Sequence, residues 1–358
     1  MSRKRRRATA DRTNAKAPPP LRFEHRTIDL ILRHTWTIAR GASDVKRNVL
    51  ARLTFDGVEG LGEGAPNARY GEDAETVTAA VDLLARGIGA DPARFDAVID
   101  RLEDLLPDNH AAKAAVDIAL HDWMAKRAEV PLYRLLGADP AHTPLTSFSI
   151  GLDALAVMQE KVREAEDFRI LKIKLGLEHD RGILEAVREV TDKPLYVDVN
   201  EGWKDRALAV EMIRWMEGQG VVLVEQPLPA DDLDGARFVR DRVDMPIVAD
   251  EACLTLADIP RIADAYDGIN VKLQKAGGLR MARRMIDKAR ELKMRVMLGC
   301  MIETSIGITA AAHLSPLVDH ADLDGNLLIA NDPFRGATVR QGKLVLPDRP
   351  GLGVEGAW

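Results

Sequence analysis

Three short apolar runs end on carboxylates. VVLVEQPLP (221–229) carries four apolar residues and then Glu225, just before Pro227; LYVDVN ends around Asp198, and PIVADE ends at Asp250 and Glu251. Gathered without counter-charge, such acids would repel and raise one another's pKa values. A hard divalent cation removes that cost. An all-oxygen ligand set points to Mg2+ or Mn2+, whose octahedral preference leaves about three positions for substrate and water.

Amines accompany the acids. In ILKIKLG, Lys172 and Lys174 are two apart, so both leave one face of a strand while Ile173 leaves the other. Inward-facing lysines are costly unless they are used. GINVKLQK places Lys272 at the end of a later strand, whereas Lys193 and Lys275 read as ordinary surface residues. A lysine crowded by cations and partly desolvated has its pKa lowered toward the range of a general base. Two such amines on opposite faces of one carbon suit 1,1-proton transfer, one removing the proton and the other returning it. Finally, HADLDGN sets Asp322 and Asp324 on one strand face. That pair suits an ammonium, with three donors and one charge, and suits a dicarboxylate badly.

What must position these residues is a repeating scaffold. The landmarks Lys174, Asp198, Glu225, Asp250, Lys272, Gly299 and Asp322 follow one another at intervals of 24, 27, 25, 22, 27 and 23 residues. A β-then-α unit with a period near 25 is the signature of a parallel barrel, whose strand ends converge on one mouth. Eight strand candidates but seven intervening helical patterns predict a (β/α)7β variant of the TIM barrel over residues 144–326. In it, the strands bearing Lys174 and Lys272 lie opposite one another, with the acidic strands between.

Upstream, TIDLILRHTWTI and NVLARLTFDGVEGLGEG read as a hairpin or short meander. Three helical patterns follow, so residues 21–143 are expected to form an α+β domain. Gly57, Gly60, Gly62 and Gly64 lack the strand–GxGxxG–helix context of a dinucleotide site and read as turn glycines. The Gly- and Pro-rich segment 327–358 has no helical period and is expected to return to the first domain.

Bulk properties narrow the function classes. Of 358 residues, 46% are hydrophobic and 30% charged, which is ordinary for a globular protein. No apolar run approaches the ~18 residues of a membrane span. Two cysteines without a CxxC argue against a disulfide framework or a zinc site and fit the reducing cytosol. The first twenty residues hold seven Lys or Arg against one Asp, leaving the rest of the chain at −12 within a total of −6. An acidic body argues against nucleic acid as the main partner. Residues 1–20 lack the apolar core of a secretory signal. They read as a disordered tail or an over-long gene start, with polyanion binding by the basic cluster as the alternative.

The KxK pair, the Asp–Glu–Asp triad and the strand-six lysine together resemble the enolase superfamily, in its muconate-lactonizing subgroup. The likeness spans nearly the whole chain beyond the tail. It implies that residues 21–143 cap the barrel, that Lys174 and Lys272 are the acid/base pair, and that Lys172 helps hold enolate charge. It also implies Asp198, Glu225 and Asp250 as Mg2+ ligands. Several reactions share those residues in the subgroup: cycloisomerisation, o-succinylbenzoate synthesis, N-acylamino acid racemisation and dipeptide epimerisation. The DxD pair looks like that of dipeptide epimerases, where it holds the substrate's free α-amino group, and the nearest likeness is to L-Ala-D/L-Glu epimerases acting on a murein-derived dipeptide. Arg40, in a loop like their mobile capping loops, is a candidate for the substrate Glu side chain, with Lys46, Arg47 and Arg69 competing. The expectation is a cytoplasmic, Mg2+-dependent isomerase acting on a dipeptide, without nucleic acid or membrane partners and as a possible homo-oligomer. Epimerisation of another dipeptide, N-acylamino acid racemisation and non-catalytic ligand binding are the alternatives.

Overall fold

The computed structural model describes residues 20–358. The basic tail read over residues 1–20 therefore falls, but for Pro20, outside the described residues. The chain opens with a three-stranded antiparallel sheet of β1 (Arg22–Ile38), β2 (Gly41–Phe55) and β3 (Val58–Gly64). Three helices follow: α1 (Ala74–Ile88), α2 (Phe95–Leu105) and α3 (His110–Arg127). Helix α1 starts on a capping box, Asp73 accepting from Thr76 N while the Thr76 hydroxyl takes the Asp73 N–H.

The glycines of β3 do something other than turn the chain. Only Gly57, at φ 75°, sits in the β2–β3 turn. Gly60, Gly62 and Gly64 share one strand face, and a Cβ on them would meet the backbone oxygens of Ala119, Ala115 and Ala111 at 2.1, 2.0 and 2.6 Å. A glycine every second residue faces an alanine every fourth, so strand and helix α3 approach to backbone contact. The reading of these three as turn glycines is corrected accordingly.

The second layer is an eight-stranded parallel sheet in sequential order: β4 (Ser147–Ile150), β5 (Ile170–Lys174), β6 (Leu195–Asp198), β7 (Val221–Glu225), β8 (Ile247–Ala249), β9 (Gly268–Lys272), β10 (Arg295–Gly299) and β11 (His320–Asp322). A parallel bridge between Thr146 and Ala321 closes it. Each of the seven crossovers carries at least one helix. The fold is a modified TIM barrel, (β/α)7β, with an N-terminal α+β capping domain.

Two-residue alternation builds the barrel interior in layers. Tyr196, Leu223, Val248 and Met297, joined by Ile170, form a buried apolar cluster of their own. Two residues further along the same strands come Asp198, Glu225, Asp250, Gly299 and Lys172. The intervening Leu171, Ile173, Val197, Val224 and Ala249 pack outward in the main core. An apolar plug thus carries a charged layer at the mouth.

The C-terminal segment ties the layers together. Arg33 N donates to Leu328 O and Ala330 N to Ile31 O, extending β1. The buried Asp122 of α3 accepts from Leu61 N and Leu352 N, both at 2.7 Å. The ring of His313, also buried, lies between Tyr133 N (3.2 Å) and Leu352 O (3.0 Å).

Candidate active site

The strand ends explain why the acids sit where they do. Immediately past them the backbone turns through the left-handed region at Asn200 (φ 47°), Glu201 (φ 65°) and Gln226 (φ 39°). The side chain of Gln226 secures its turn: Oε1 accepts from Asp250 N and Ala252 N, and Nε2 donates to Leu228 O and Tyr266 Oη. The sharp reversals leave Asp198 and Glu225 as the last residues of their strands and Asp250 as the first beyond β8.

These three carboxylates are buried, and one oxygen from each lies within 4.8 Å of the others. Asn270 Nδ2 fixes Glu225 Oε1 at 2.8 Å, while the buried Glu225 Oε2 has only the Lys172 ammonium beside it. Three buried carboxylates turned toward one another are a poor structural device and a good ligand set for a hard cation. The residues present fit Mg2+.

The lysines surround that cluster. Lys172 Nζ lies 2.7 Å from Glu225 Oε2, 2.7 Å from Asp322 Oδ2 and 3.3 Å from Asp198 Oδ2. Lys174 donates to Asp198 at 2.6 Å, and Lys272 donates to Asp250 at 2.8 Å. The two outer amines thus approach the triad through different acids, from strands at opposite sides of the barrel. Lys174 Nζ also sits 5.8 Å from the Trp36 ring centroid, under the cap.

The electrostatics run against one expectation. Burial pulls the Lys272 ammonium down, but the charges of Asp250 and Glu225 outweigh it and hold the group above the ordinary lysine range. Lys172 is raised in the same way by Asp322, Glu225 and Asp198. The lowering expected from crowding by cations is not what these carboxylates produce; a divalent cation among them acts with the opposite sign. Burial likewise works against Asp198 and Asp250, yet the lysines beside them hold both below the usual carboxylate range. Glu225 is pushed up to about 7 by burial and by the Asp198 charge.

Asp322 and Asp324 stand across the mouth at the end of β11. Asp322 takes Ser147 Oγ at 2.7 Å beside its Lys172 contact, and Asp324 takes Ser149 N at 2.6 Å. Burial and the neighbouring Asp322 charge push Asp324 up to about 7. Above the acids and lysines lies a cavity of about 440 Å3, within the range of small-molecule sites. Its roof comes from the β1–β2 hairpin and the segment after β3, its floor from the barrel mouth. Arg40 lines it, with Nη1 bonded to Glu251 Oε1 at 2.5 Å, Asn200 O at 2.9 Å and Glu201 Oε2 at 3.3 Å.

Several participants escaped the sequence reading. Lys275 is buried rather than a surface residue; its ammonium donates to Asp250 Oδ1 (2.5 Å) and to the carbonyls of Asp250, Cys253 and Asn270. The only available signal was its place one helical turn after Lys272. Asn270 could have been found two residues before Lys272, on the same strand face. Tyr70 lines the cavity, its phenol pushed up by burial and by Asp250, but no spacing marks it. Trp203 is buried, donating to Asp180 at 2.7 Å, whereas Glu201 meets Arg40 and Arg69 at the rim.

Two family models match the sequence: the mandelate racemase / muconate lactonizing enzyme N-terminal domain over residues 26–137 and the enolase C-terminal domain-like model over residues 154–357. The chain is 42% identical over 327 residues to the L-Ala-D/L-Glu epimerase of Bacteroides thetaiotaomicron, covering 91% of this chain and 85% of that protein. The substrate-liganded L-Ala-D/L-Glu epimerase of Bacillus subtilis superposes with a TM-score of 0.90 at 33% identity, covering 95% of this chain and 99% of the other. A dipeptide epimerase of Enterococcus faecalis, complexed with Mg and L-Leu-L-Tyr, superposes at 0.88 with 32% identity, covering 94% and 99%. Cap, barrel and charged mouth agree with these likenesses in one conclusion: the chain belongs to the enolase superfamily, among the mandelate racemase / muconate lactonizing enzymes.

Proposed function

We propose that this protein is a Mg2+-dependent dipeptide epimerase, inverting the α-carbon of the C-terminal residue through an enolate, with L-Ala-D/L-Glu from murein peptide metabolism as its substrate. The observation that carries this reading is the placement of two lysines on different members of one acidic triad, Lys174 on Asp198 and Lys272 on Asp250. In it, Asp198, Glu225 and Asp250 hold the cation. When bound, Mg2+ supplies positive charge to the substrate carboxylate as the neighbouring carbon loses its proton.

The remaining work falls to side chains of this chain. One of Lys174 and Lys272, in its neutral form, takes the α-proton; the other, protonated, delivers a proton to the opposite face. Lys172, fixed by Asp322 and kept charged by three carboxylates, stabilises negative charge gathering on the carboxyl oxygens. Asp322 and Asp324 receive the free ammonium of the dipeptide, an arrangement that an N-acylated amino acid would leave unused. Arg40 lends the roof hydrogen-bond donors for a side chain.

The domain boundaries in this reading are a cap over residues 21–143, a barrel over 144–326 and a returning segment over 327–358. Two free cysteines favour a cytoplasmic setting. No helix among the described residues is long and apolar enough to cross a membrane. The substrate is a small molecule, no nucleic acid or membrane partner is invoked, and a homo-oligomer is compatible. The dipeptide L-Leu-L-Tyr in the Enterococcus relative favours epimerisation of another dipeptide as the second reading.

The test is proton exchange. Incubation of L-Ala-L-Glu with the protein and Mg2+ in heavy water should replace the α-hydrogen of the C-terminal residue with deuterium, read by NMR, and a chelator should stop it. Exchange confined to N-acylamino acids would instead identify a racemase, and exchange indifferent to the chelator would remove the metal from the scheme.

A further inference from the structure

Four cations stand on or near the cavity roof, and the structure separates them. Arg69 is held by Glu201 through Nε and Nη2, both at 3.0 Å. Arg40 shares Glu201 and takes Glu251, so two guanidiniums face two carboxylates and that part of the roof carries no net charge. Arg47 points to the other side of β2 and pairs with Asp29 at 2.7 and 3.0 Å, away from the cavity. Lys46, one residue earlier, points inward with Asn48 and lines the cavity. It is half-buried, and among the described residues it makes neither an ion pair nor a side-chain hydrogen bond. Burial alone acts on its ammonium, pulling it below the ordinary lysine range.

An uncompensated cation on a cavity wall awaits an anion. Its position is also informative. Asn48 Nδ2 reaches Ile302 O, just past β10, so this stretch of β2 stands over the loop that follows β10. Arg40, by contrast, stands over the loops after β6 and β8. Arg40 keeps donors, but donors serve a carboxamide as well as a carboxylate. Only net charge separates the two.

We propose that Lys46 binds a carboxylate on a side chain of the dipeptide and so makes the enzyme select acidic over isosteric neutral substrates. This inference rests on the epimerase reading. The carboxylate can belong to either residue of the dipeptide, and the experiment distinguishes them. kcat/KM is measured by exchange in heavy water for L-Ala-L-Glu against L-Ala-L-Gln, and for L-Glu-L-Ala against L-Gln-L-Ala, with the natural chain, Lys46→Met, Lys46→Arg and Lys46→Glu.

The expected result is an acid-over-amide ratio of about tenfold or more for one of the two pairs, the size of a charge-assisted hydrogen bond. That ratio should collapse toward one in Lys46→Met, return in Lys46→Arg and invert in Lys46→Glu. The pair that responds identifies the residue read. Because each ratio compares two substrates on one protein, a loss of folded enzyme cancels. An active natural chain whose ratios are near one, or survive in Lys46→Met, overturns the Lys46 assignment alone. A natural chain that exchanges no proton in any dipeptide overturns the epimerase reading and the assignment with it.

Discussion

The barrel mouth and the roof above it are both rich in charge, but they hold it differently. At the mouth, Lys172, Lys174, Lys272, Asp198, Glu225 and Asp250 are at most 8% exposed, and each sits within a barrel strand or one residue past it, flanked by core residues. On the roof, Arg40, Lys46 and Arg69 are half-buried to exposed, on a hairpin and a loop. In the proposed reading, the groups that hold a proton in place are built on rigid elements and supported by neighbours such as Asn270 and Lys275. The groups proposed to read a side chain sit where exchanging one residue costs the fold little. The difference predicts that mouth variants lose turnover whereas roof variants change preference.

The largest test of that division is Lys272→Ala. It should lower epimerisation by about 10²- to 10⁴-fold, the range of a lost general acid/base, with the chain still folded. Exchange from one substrate epimer into heavy water should survive, since Lys174 remains. Full two-way turnover would break the two-amine scheme and the comparison with it.

A smaller effect is expected at Asp324, at the mouth's edge. With its carboxyl pushed up to about 7, it is charged above that pH and neutral below. A neutral Asp324 loses its attraction for an ammonium, so KM for the dipeptide should rise as pH falls from 8 to 6. Asp324→Asn should raise KM by about tenfold and flatten that dependence. A KM profile that keeps its slope in the variant would remove Asp324 from substrate binding.

The smallest effect on turnover is expected at the joint between the two regions, where the readout is stability. His313 is buried, neutral and lowered to about 4 by burial, against an ordinary 6.5. Because its pKa is depressed in the folded state, the unfolded chain takes the proton first. The stability it contributes is complete above 6.5 and is lost as pH falls toward 4, by about 3 kcal/mol in all. Calorimetric Tm should therefore fall across that window, and less steeply in His313→Asn. Parallel profiles would show that the joint does not depend on a neutral ring.

The interval of about 25 residues made the barrel legible, since each unit repeats one buried strand and one amphipathic helix. The two-residue rule did the same for Lys172 with Lys174 and for Asp322 with Asp324, because alternation is a property of the strand itself. Positions on a short helical turn were not legible in this way. Lys275, which entered the sequence reading as a surface residue, lies on the turn of helix after β9, where no alternation marks burial.

What the sequence by itself determined is the order of strands and helices, the charged residues at the strand tips and the acidic balance of the chain, all of which follow from local periodicity and composition. Only the tertiary structure decided which of those charges meet, which cation on the roof lacks a partner, and that the glycines of β3 serve a helix rather than a turn. The physical reason is range: backbone periodicity acts over a few residues, whereas pairing of charge and close approach of backbones depend on distances between segments far apart in the chain.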